Sequence, residues 1–134
     1  MAANVQPVFA LKPETKTAVI TGTTTDKSGA TPANLVELVT GSTDGTKVTW
    51  IKFKHVGNST AGLYLIFITD PSGSNPRLYA ELQITAQSSS VNQPSHESII
   101  YTIDLQLKVG QKILVGSTTL TTNVHVTASI GEFS

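Results

Sequence analysis

KVTWIKFKHVGNSTAGLYLIFITDPSGSNPRLYAELQIT, residues 47–85, contains three runs of apolar residues that repeat with a period of two and are rich in β-branched and aromatic types. This pattern indicates β-strands, because successive side chains of a strand point to opposite faces of a sheet. The turn sequence Gly57-Asn58 separates the first run from the second, and Asp70-Pro71-Ser72-Gly73 separates the second from the third. The stretch therefore predicts three consecutive strands joined by turns.

The same period continues on both sides of this stretch, and we find no segment with the 3.6-residue period of a helix. The predicted strands cover residues 19–21, 35–40, 47–56, 63–69, 77–85, 99–105, 112–117 and 124–130. About eight short strands separated by turns predict an all-β fold, an antiparallel β-sandwich of jelly-roll-like type. With 134 residues in all, we expect one such domain at residues 17–134, preceded by an extended N-terminal arm at residues 1–16.

The residues around Trp50 change phase within one predicted strand. Phe53 alternates with Lys52 and Lys54, which places the aromatic ring in the core and the two lysines in solvent. Val48 and Trp50 fall on the opposite parity. A β-bulge near Trp50 reconciles the two phases, and we predict one there.

Three longer segments depart from simple alternation. Residues 63–68 are apolar at every position, which predicts an interior strand covered on both faces. Residues 22–34 and 87–97 are rich in Ser, Thr, Pro and Gly, and we expect them to form long surface loops. Loops of this length in a compact domain are often functional, so these two are candidate sites of partner contact.

The composition excludes several classes of partner. Nine basic and nine acidic residues cancel, so no net field directs the chain to nucleic acid or to an anionic membrane, and we predict neither as a partner. The absence of cysteine excludes disulfides and thiolate metal sites. The longest apolar run has six residues, far fewer than the roughly 20 that cross a bilayer as a helix. The first sixteen residues also lack the pattern of a secretory signal.

No motif for catalysis or metal binding stands out. His55, His96 and His125 are far apart and lack a metal-ligand spacing. His96 lies beside Glu97 in a predicted loop, but no activated nucleophile accompanies this pair. Residues 70–74 alternate oxygen ligands around a glycine, as calcium loops do, but lack the terminal glutamate. We predict a protein that is not an enzyme and has no cofactor or metal.

A nucleic-acid surface is an alternative for the segment around Trp50. Lys47, Lys52 and Lys54 would contact phosphates while interleaved aromatic rings stack on bases. The alternation of the strand argues against this interpretation, because it turns Phe53 away from the lysines that flank it.

A set of turn and strand motifs, each occurring once, lies in the last two-thirds of the chain. It spans GSTDGTKVTWIKFKHVGNSTAGLYLIFITDPSG (41–73), RLYAELQITA (77–86), DLQLKVGQKILVGS (104–117) and VHVTASIGEFS (124–134). Its features are a T-A-G turn, an Asp-x-x-Gly loop, an L-x-x-E strand, a Leu-x-x-Gly turn and a terminal aromatic residue after Gly-Glu. They lie at residues 58–62, 70–73, 78–81, 107–110 and 131–133. The pattern resembles a family of small proteins encoded in the head-gene region of tailed bacteriophages.

This resemblance implies a virion protein, most simply a capsid decoration or cement protein. Such a protein is made in the host cytoplasm and binds the major capsid protein on the outer capsid surface, where it stabilises the head. The resemblance carries over no catalytic residue, and by analogy with other β-sandwich cement proteins we expect a homotrimer. The arm is our candidate contact with the capsid or a neighbouring subunit, because an extended segment can lie along another protein or add to a sheet edge. The candidate partner-binding residues are Val5, Pro7, Phe9, Leu11 and Pro13.

Two other functions remain open. The first is a tail, fibre or baseplate β-sandwich module that binds a host-surface glycan, with the two Ser/Thr-rich loops as a polar rim. Trp50 and Tyr101 are its candidate sugar-stacking residues, although both lie in predicted strands rather than in those loops. The second is a small hydrolase, which is disfavoured because no local motif supplies a nucleophile together with its base.

Overall fold

The computed structural model describes residues 12–31 and 33–133, which form eight β-strands and no helix. The strands are β1 (Lys12–Ile20), β2 (Val36–Thr40), β3 (Thr46–His55), β4 (Gly62–Ile68), β5 (Arg77–Ile84), β6 (Glu97–Leu107), β7 (Lys112–Ser117) and β8 (Val124–Glu132). In these residues no helix has the length and apolar character needed to cross a membrane.

The strands form two four-stranded sheets. The first sheet has the order β1-β8-β3-β6 and the second has the order β2-β7-β4-β5. All neighbouring strands are antiparallel. This is the strand order of an eight-stranded jelly roll, in which two Greek keys are wrapped into a sandwich. The predicted all-β, jelly-roll-like sandwich is therefore confirmed.

The hydrophobic core lies between the facing sides of the two sheets. Ile51 and Phe53 of β3 meet Tyr64 and Ile66 of β4, and all four are fully buried. The rings of Phe53 and Tyr64 stack across the sandwich, with centroids 4.6 Å apart and planes 12° from parallel. Burial of each such side chain contributes about 1.5–3 kcal/mol, so this interior holds the two sheets together. The predicted burial of Phe53 is also confirmed.

The first strand begins earlier than the sequence predicts. We expected a strand at residues 19–21, whereas β1 runs from Lys12 and pairs along its whole length with β8. Residues 12–16, which we assigned to the arm, lie opposite residues 128–132. The segment has few apolar side chains because it is an edge strand, mostly exposed to solvent, so the period-two signal is weak there.

The predicted bulge near Trp50 is confirmed. The register of β3 shifts between Val48 and Trp50 in its pairing with both β6 and β8. Ile51 and Phe53 then continue on the core side, while Trp50 lies opposite Tyr101 and Ser129. The bulge thus brings Val48 to the core side together with Ile51 and Phe53, whereas Trp50 lies by simple alternation on the outer side of the first sheet, where Lys52 also lies.

β4 is an interior strand of the second sheet, as predicted, and both of its faces are buried. Leu65 and Phe67 point away from the core yet have no exposed surface. Residues 21–35 join β1 to β2, and we call them the covering loop; among its described residues, Thr24 and Leu35 pack on this outer side. Leu35 and Thr24 of the loop lie directly over Gly116, and Gly116 is the neighbour of Leu65 on β7.

Polar contacts hold the covering loop in place. The backbone N–H of Thr24 donates to the carbonyl of Ser117 at 2.9 Å, and Lys27 pairs with Glu81 of β5 at 2.7 Å. Asp26 accepts hydrogen bonds from the backbone N–H groups of Ser28 and Thr31 and from both of their hydroxyls. These bonds, that of the Ser28 hydroxyl above all, lower the pKa of Asp26 to about 2. The loop is therefore structured, and it crosses the second sheet from β7 to β5.

Candidate binding surface

The outer side of the first sheet carries exposed side chains on all four strands, and we call it the open face. Its residues form rows across the sheet, in the strand order β1, β8, β3 and β6. The rows are Val19-His125-Lys54-Glu97, Thr17-Thr127-Lys52-Ile99 and Thr15-Ser129-Trp50-Tyr101. Hydroxyl groups dominate the half formed by β1 and β8, whereas aromatic, aliphatic and charged groups dominate the half formed by β3 and β6.

Three apolar side chains form a patch on the β3–β6 half. Tyr101 is 69% exposed, Ile99 is 41% exposed and Trp50 is half-buried. Together with Lys52 they line a shallow hollow of about 280 Å³. Trp50 and Tyr101 are directly opposed on neighbouring antiparallel strands, and both side chains line this hollow.

A charged cluster borders this patch. Glu97 Oε2 lies 3.0 Å from the Nζ of Lys52, and Glu97 Oε1 lies 3.3 Å from the Nζ of Lys54. The hydrogen bonds from Lys52 and then Lys54 hold the pKa of Glu97 below its ordinary value. One carboxylate thus serves two ammonium groups, which leaves the cluster with one excess positive charge beside the apolar patch.

The predicted partner-binding residues fall in two parts of the chain. Val5, Pro7, Phe9 and Leu11 lie outside the residues that the structure describes. Pro13 lies in β1 opposite Gly131 of β8, where it is exposed. It follows the row of Thr15 at the corner of the open face, so the candidate arm joins the sheet at the rim of this surface.

The sequence identified Trp50 and Tyr101 separately but did not predict that they are neighbours. The alternation of Lys52 and Lys54 with Phe53 gave the correct burial of Phe53. The even spacing of Trp50, Lys52 and Lys54 was the sequence signal that this ring lies on the lysine side. The pairing with Tyr101 depends on the register of β3 against β6, which are separated by more than forty residues.

The three histidines occupy two different environments. His55 is buried at the end of β3, and its ring centroid lies 6.4 Å from that of His96. His125 lies on the open face and is exposed. Among the described residues, no group of three or more His, Asp or Glu side chains is placed to hold a metal ion.

Residues 70–74, which resemble a calcium loop in sequence, form a tight turn between β4 and β5. The carboxylate of Asp70 accepts hydrogen bonds from the backbone N–H groups of Ser72 and Ser74, the Ser72 hydroxyl and the Asn75 amide. These donors, the Ser72 hydroxyl first, lower the pKa of Asp70 to about 2. The carboxylate therefore stabilises the turn, as the hairpin interpretation predicts.

A second concavity lies at the end of the sandwich where β1 begins and β8 ends. It has a volume of about 520 Å³ and is lined by Thr43, Asp44, Gly45, Gln106, Leu107, Lys108, Val109 and Phe133. The backbone N–H of Phe133 donates to the carbonyl of Gly45 at 3.1 Å, which fixes the terminal aromatic residue against the β2–β3 turn.

Comparison with known proteins adds no assignment. No protein-family model matches this chain, and no curated protein matches it at a significant level.

Proposed function

We propose that this protein is a structural protein of a tailed-bacteriophage virion, a decoration or cement protein that binds the major capsid protein lattice and stabilises the head. The observation that carries this proposal is the open face. Its patch of Trp50, Ile99 and Tyr101 lies on a sheet whose core side is already filled. Exposed apolar patches rimmed by polar groups mark interaction sites, and Trp and Tyr are enriched at the centres of protein interfaces.

The identity of the partner is supported by the sequence resemblance to head-region phage proteins. The fold is compatible with it, because jelly rolls are used by viral capsid domains. They are also used by lectins, so the fold agrees with more than one function and supports the proposal only by analogy.

The arm is the second part of the proposed contact. Because Pro13 lies at the corner of the open face, a partner seated on that face is within reach of the residues before it. In this proposal Val5, Pro7, Phe9, Leu11 and Pro13 contact the capsid or a neighbouring subunit. A module bound to assembled capsid subunits stabilises the lattice by mass action, because it binds the assembled form in preference to free subunits.

The remaining features of the proposal follow from the same analogy. The protein is made in the host cytoplasm and resides on the outer capsid surface, and a homotrimer matches the three-fold positions of a capsid lattice. The role needs no catalytic group, cofactor, nucleic acid or membrane.

The direct test is binding to phage heads that lack the protein. We expect the full chain to sediment with such heads and cryo-electron microscopy to place it on the outer shell. Tyr101→Ala removes the most exposed part of the patch, so we expect it to weaken head binding about tenfold or more. Tyr79→Ala is the matched control, because Tyr79 is a 45% exposed tyrosine of the second sheet. Absence of binding by the unaltered protein would contradict the proposal.

The contribution of the arm is tested separately. A chain lacking residues 1–11 keeps all of β1 and should therefore fold. We expect lower occupancy on heads and less protection of the particles against heat. Unchanged occupancy and particle stability would show that the open face acts without the arm.

Glycan binding at the tail is the second candidate, and the pairing of Trp50 with Tyr101 favours it. Aromatic side chains that line one hollow can stack against the apolar face of a sugar while neighbouring hydroxyl groups bind its polar edge. Reproducible binding on a glycan array that is lost in Trp50→Ala, together with density at the tail, would favour this function over capsid decoration.

A further inference from the structure

A buried histidine lies at the end of the sandwich where β3 ends. His55 is 1% exposed, and its backbone N–H donates to the carbonyl of His96 at 2.9 Å. Its ring Nδ1 lies 2.5 Å from the hydroxyl oxygen of Tyr64, whereas its Nε2 has no hydrogen-bond partner among the described residues. Buried polar atoms without a partner are uncommon, so this one needs a physical explanation.

The contacts of the two ring nitrogens determine which charge state of the imidazole fits. Burial raises the pKa of the Tyr64 hydroxyl well above its ordinary value, so this group stays neutral and supplies no negative charge to the ring. The hydroxyl can donate to an unprotonated Nδ1 or accept from a protonated one. A doubly protonated ring would be satisfied at Nδ1, but its Nε2–H would have no acceptor among the described residues. The site therefore accommodates the neutral ring and disfavours the charged one.

A second histidine adds to this effect. The His96 ring stacks on Tyr64 with centroids 5.9 Å apart, and its Nε2 lies 3.2 Å from the Ser98 hydroxyl. Burial, and then the charge on His96, lower the pKa of His55 below its ordinary value. Protonation of both rings would place two positive charges at the same end of the core.

No other charged side chain among the described residues faces this pair. The charged and titratable neighbours on β3, β6 and β8 are Lys54, Glu97 and His125, which lie on the open face, on the other side of the sheet. The residue that faces the pair from β4 is Tyr64, which is neutral, as described above. The described positions therefore offer the protonated rings no carboxylate to compensate their charge.

The histidine pair lies at one end of a loop, and the backbone bond between His55 and His96 is one of the contacts that hold this loop. Residues 85–96, which join β5 to β6 and which we call the end loop, are held to the end of β3 and the turn after it. Ser95 accepts a bond from the Gly57 N–H at its hydroxyl and one from Lys54 Nζ at its carbonyl. Ser59 and Gln87 exchange two backbone hydrogen bonds, at 3.0 and 3.1 Å. His96 is the last residue of this loop, directly before β6.

We propose that His55 and His96 form an acid-sensitive latch, which holds the end loop and the first residues of β6 in place while the buried ring of His55 is neutral. Uptake of protons places an uncompensated charge in the core, and the fold relieves it by releasing the end loop so that water reaches the rings.

The pH range of the latch follows from the direction of the shift. A histidine whose pKa is lower in the folded chain than in the unfolded chain contributes stability that is fully present above about pH 6.5. That stability is lost as the pH falls below this value. We therefore expect the end loop to loosen between about pH 6.5 and pH 5.

One consequence rests on the proposed function. β6 begins at Glu97 and also carries Ile99 and Tyr101 of the open face, so release of its first residues would weaken a partner bound there. The latch itself does not depend on that function, and its test uses the isolated protein.

The test compares thermal unfolding of the full chain at pH 7.5 and pH 5.0. We expect the Tm of the unaltered protein to fall on the order of 5 °C. His96→Gln removes one of the two charges and should reduce the fall, whereas His125→Gln, which alters the exposed histidine, should leave it unchanged. Equal falls in the unaltered protein and in His96→Gln would overturn the proposal.

Amide hydrogen exchange locates the change without relying on a variant. After correction for intrinsic exchange rates, protection in residues 87–96 should decrease at least tenfold from pH 7.5 to pH 5.0. The covering loop is the internal control, because Asp26, which holds it, stays ionised in this range. If both loops lost protection equally, the effect would be global and the latch would be wrong.

Discussion

The outer faces of the two sheets differ in how far their apolar side chains are buried. On the second sheet, neither Leu65 nor Phe67 has exposed surface, and Thr24 and Leu35 of the covering loop lie over Gly116, the neighbour of Leu65. On the first sheet, Ile99 and Tyr101 remain exposed although both lie within β6. The covering loop thus lies on the outer face of the second sheet, whereas the outer face of the first sheet is exposed to solvent.

This difference separates apolar residues that stabilise the fold from apolar residues that do not. Burial of Leu65 and Phe67 removes apolar surface from water within the monomer, so their cover contributes to folding. Tyr101 gains little from folding because most of its surface stays in water. An apolar group that the fold does not need is available for a partner, and the contrast therefore directs functional experiments to the first sheet.

The covered face should be the more sensitive of the two to truncation. Phe67→Ala removes a fully buried ring, and we expect it to lower the free energy of unfolding by about 3–5 kcal/mol. Urea denaturation monitored by circular dichroism gives this value, with Tyr101→Ala as the comparison on the open face. A loss below about 1 kcal/mol for Phe67→Ala would break the comparison, because burial on this outer face would then contribute little to folding.

A larger residue at Gly116 provides a sharper test of how tightly the covering loop packs on β7. A Cβ added at Gly116 would lie 2.8 Å from side-chain carbons of both Leu35 and Thr24. We expect Gly116→Ala to cost about 1–3 kcal/mol, since the loop must shift to admit the methyl group.

A double-mutant cycle tests whether Leu35 is the group displaced. Leu35→Ala should cost less in the Gly116→Ala background than in the unaltered protein, because it frees the space that the new methyl group needs. Strictly additive costs would show that the loop does not press on β7 at this point.

The smallest effect is expected on the open face. Tyr101→Ala should change the free energy of unfolding by no more than about 0.5 kcal/mol, as for other surface positions. Tyr79→Ala on the second sheet serves as a control, because it is the same substitution at another exposed tyrosine. A loss above about 2 kcal/mol for Tyr101→Ala would mean that the open face contributes to folding, and its use as evidence for a partner would weaken.

Most of the fold was predictable because its strands carry strong period-two signals. The predicted ends of β2, β3, β4, β5 and β7 lie within one residue of those observed. The bulge at Trp50 was also predictable, since the phase change is local in sequence. β1 was predicted too short, because its pairing partner rather than its own apolar pattern determines its length.

The covered and open faces were only partly predictable. The run at residues 63–68 required a cover on both sides, but nothing in residues 22–34 indicated that this loop supplies it. Only Thr24 and Leu35 pack against Gly116, and two side chains leave no periodic signal. Trp50 and Tyr101 were identified as candidate stacking residues, yet their pairing depends on a long-range strand register that local spacing does not determine.

The pairing of β1 with β8 has a mechanical consequence. Lys12 lies opposite Glu132 at one end of the sandwich, and Ile20 lies opposite Val124 at the other end, beside His55. Tension that pulls Lys12 and Glu132 apart acts on one residue pair at a time, so the two strands separate pair by pair from this end. Tension between Lys12 of β1 and Val124 of β8 acts along the two strands, and all nine residue pairs bear it together. The first sheet should therefore resist shear along its length far better than peeling from the end where β1 begins.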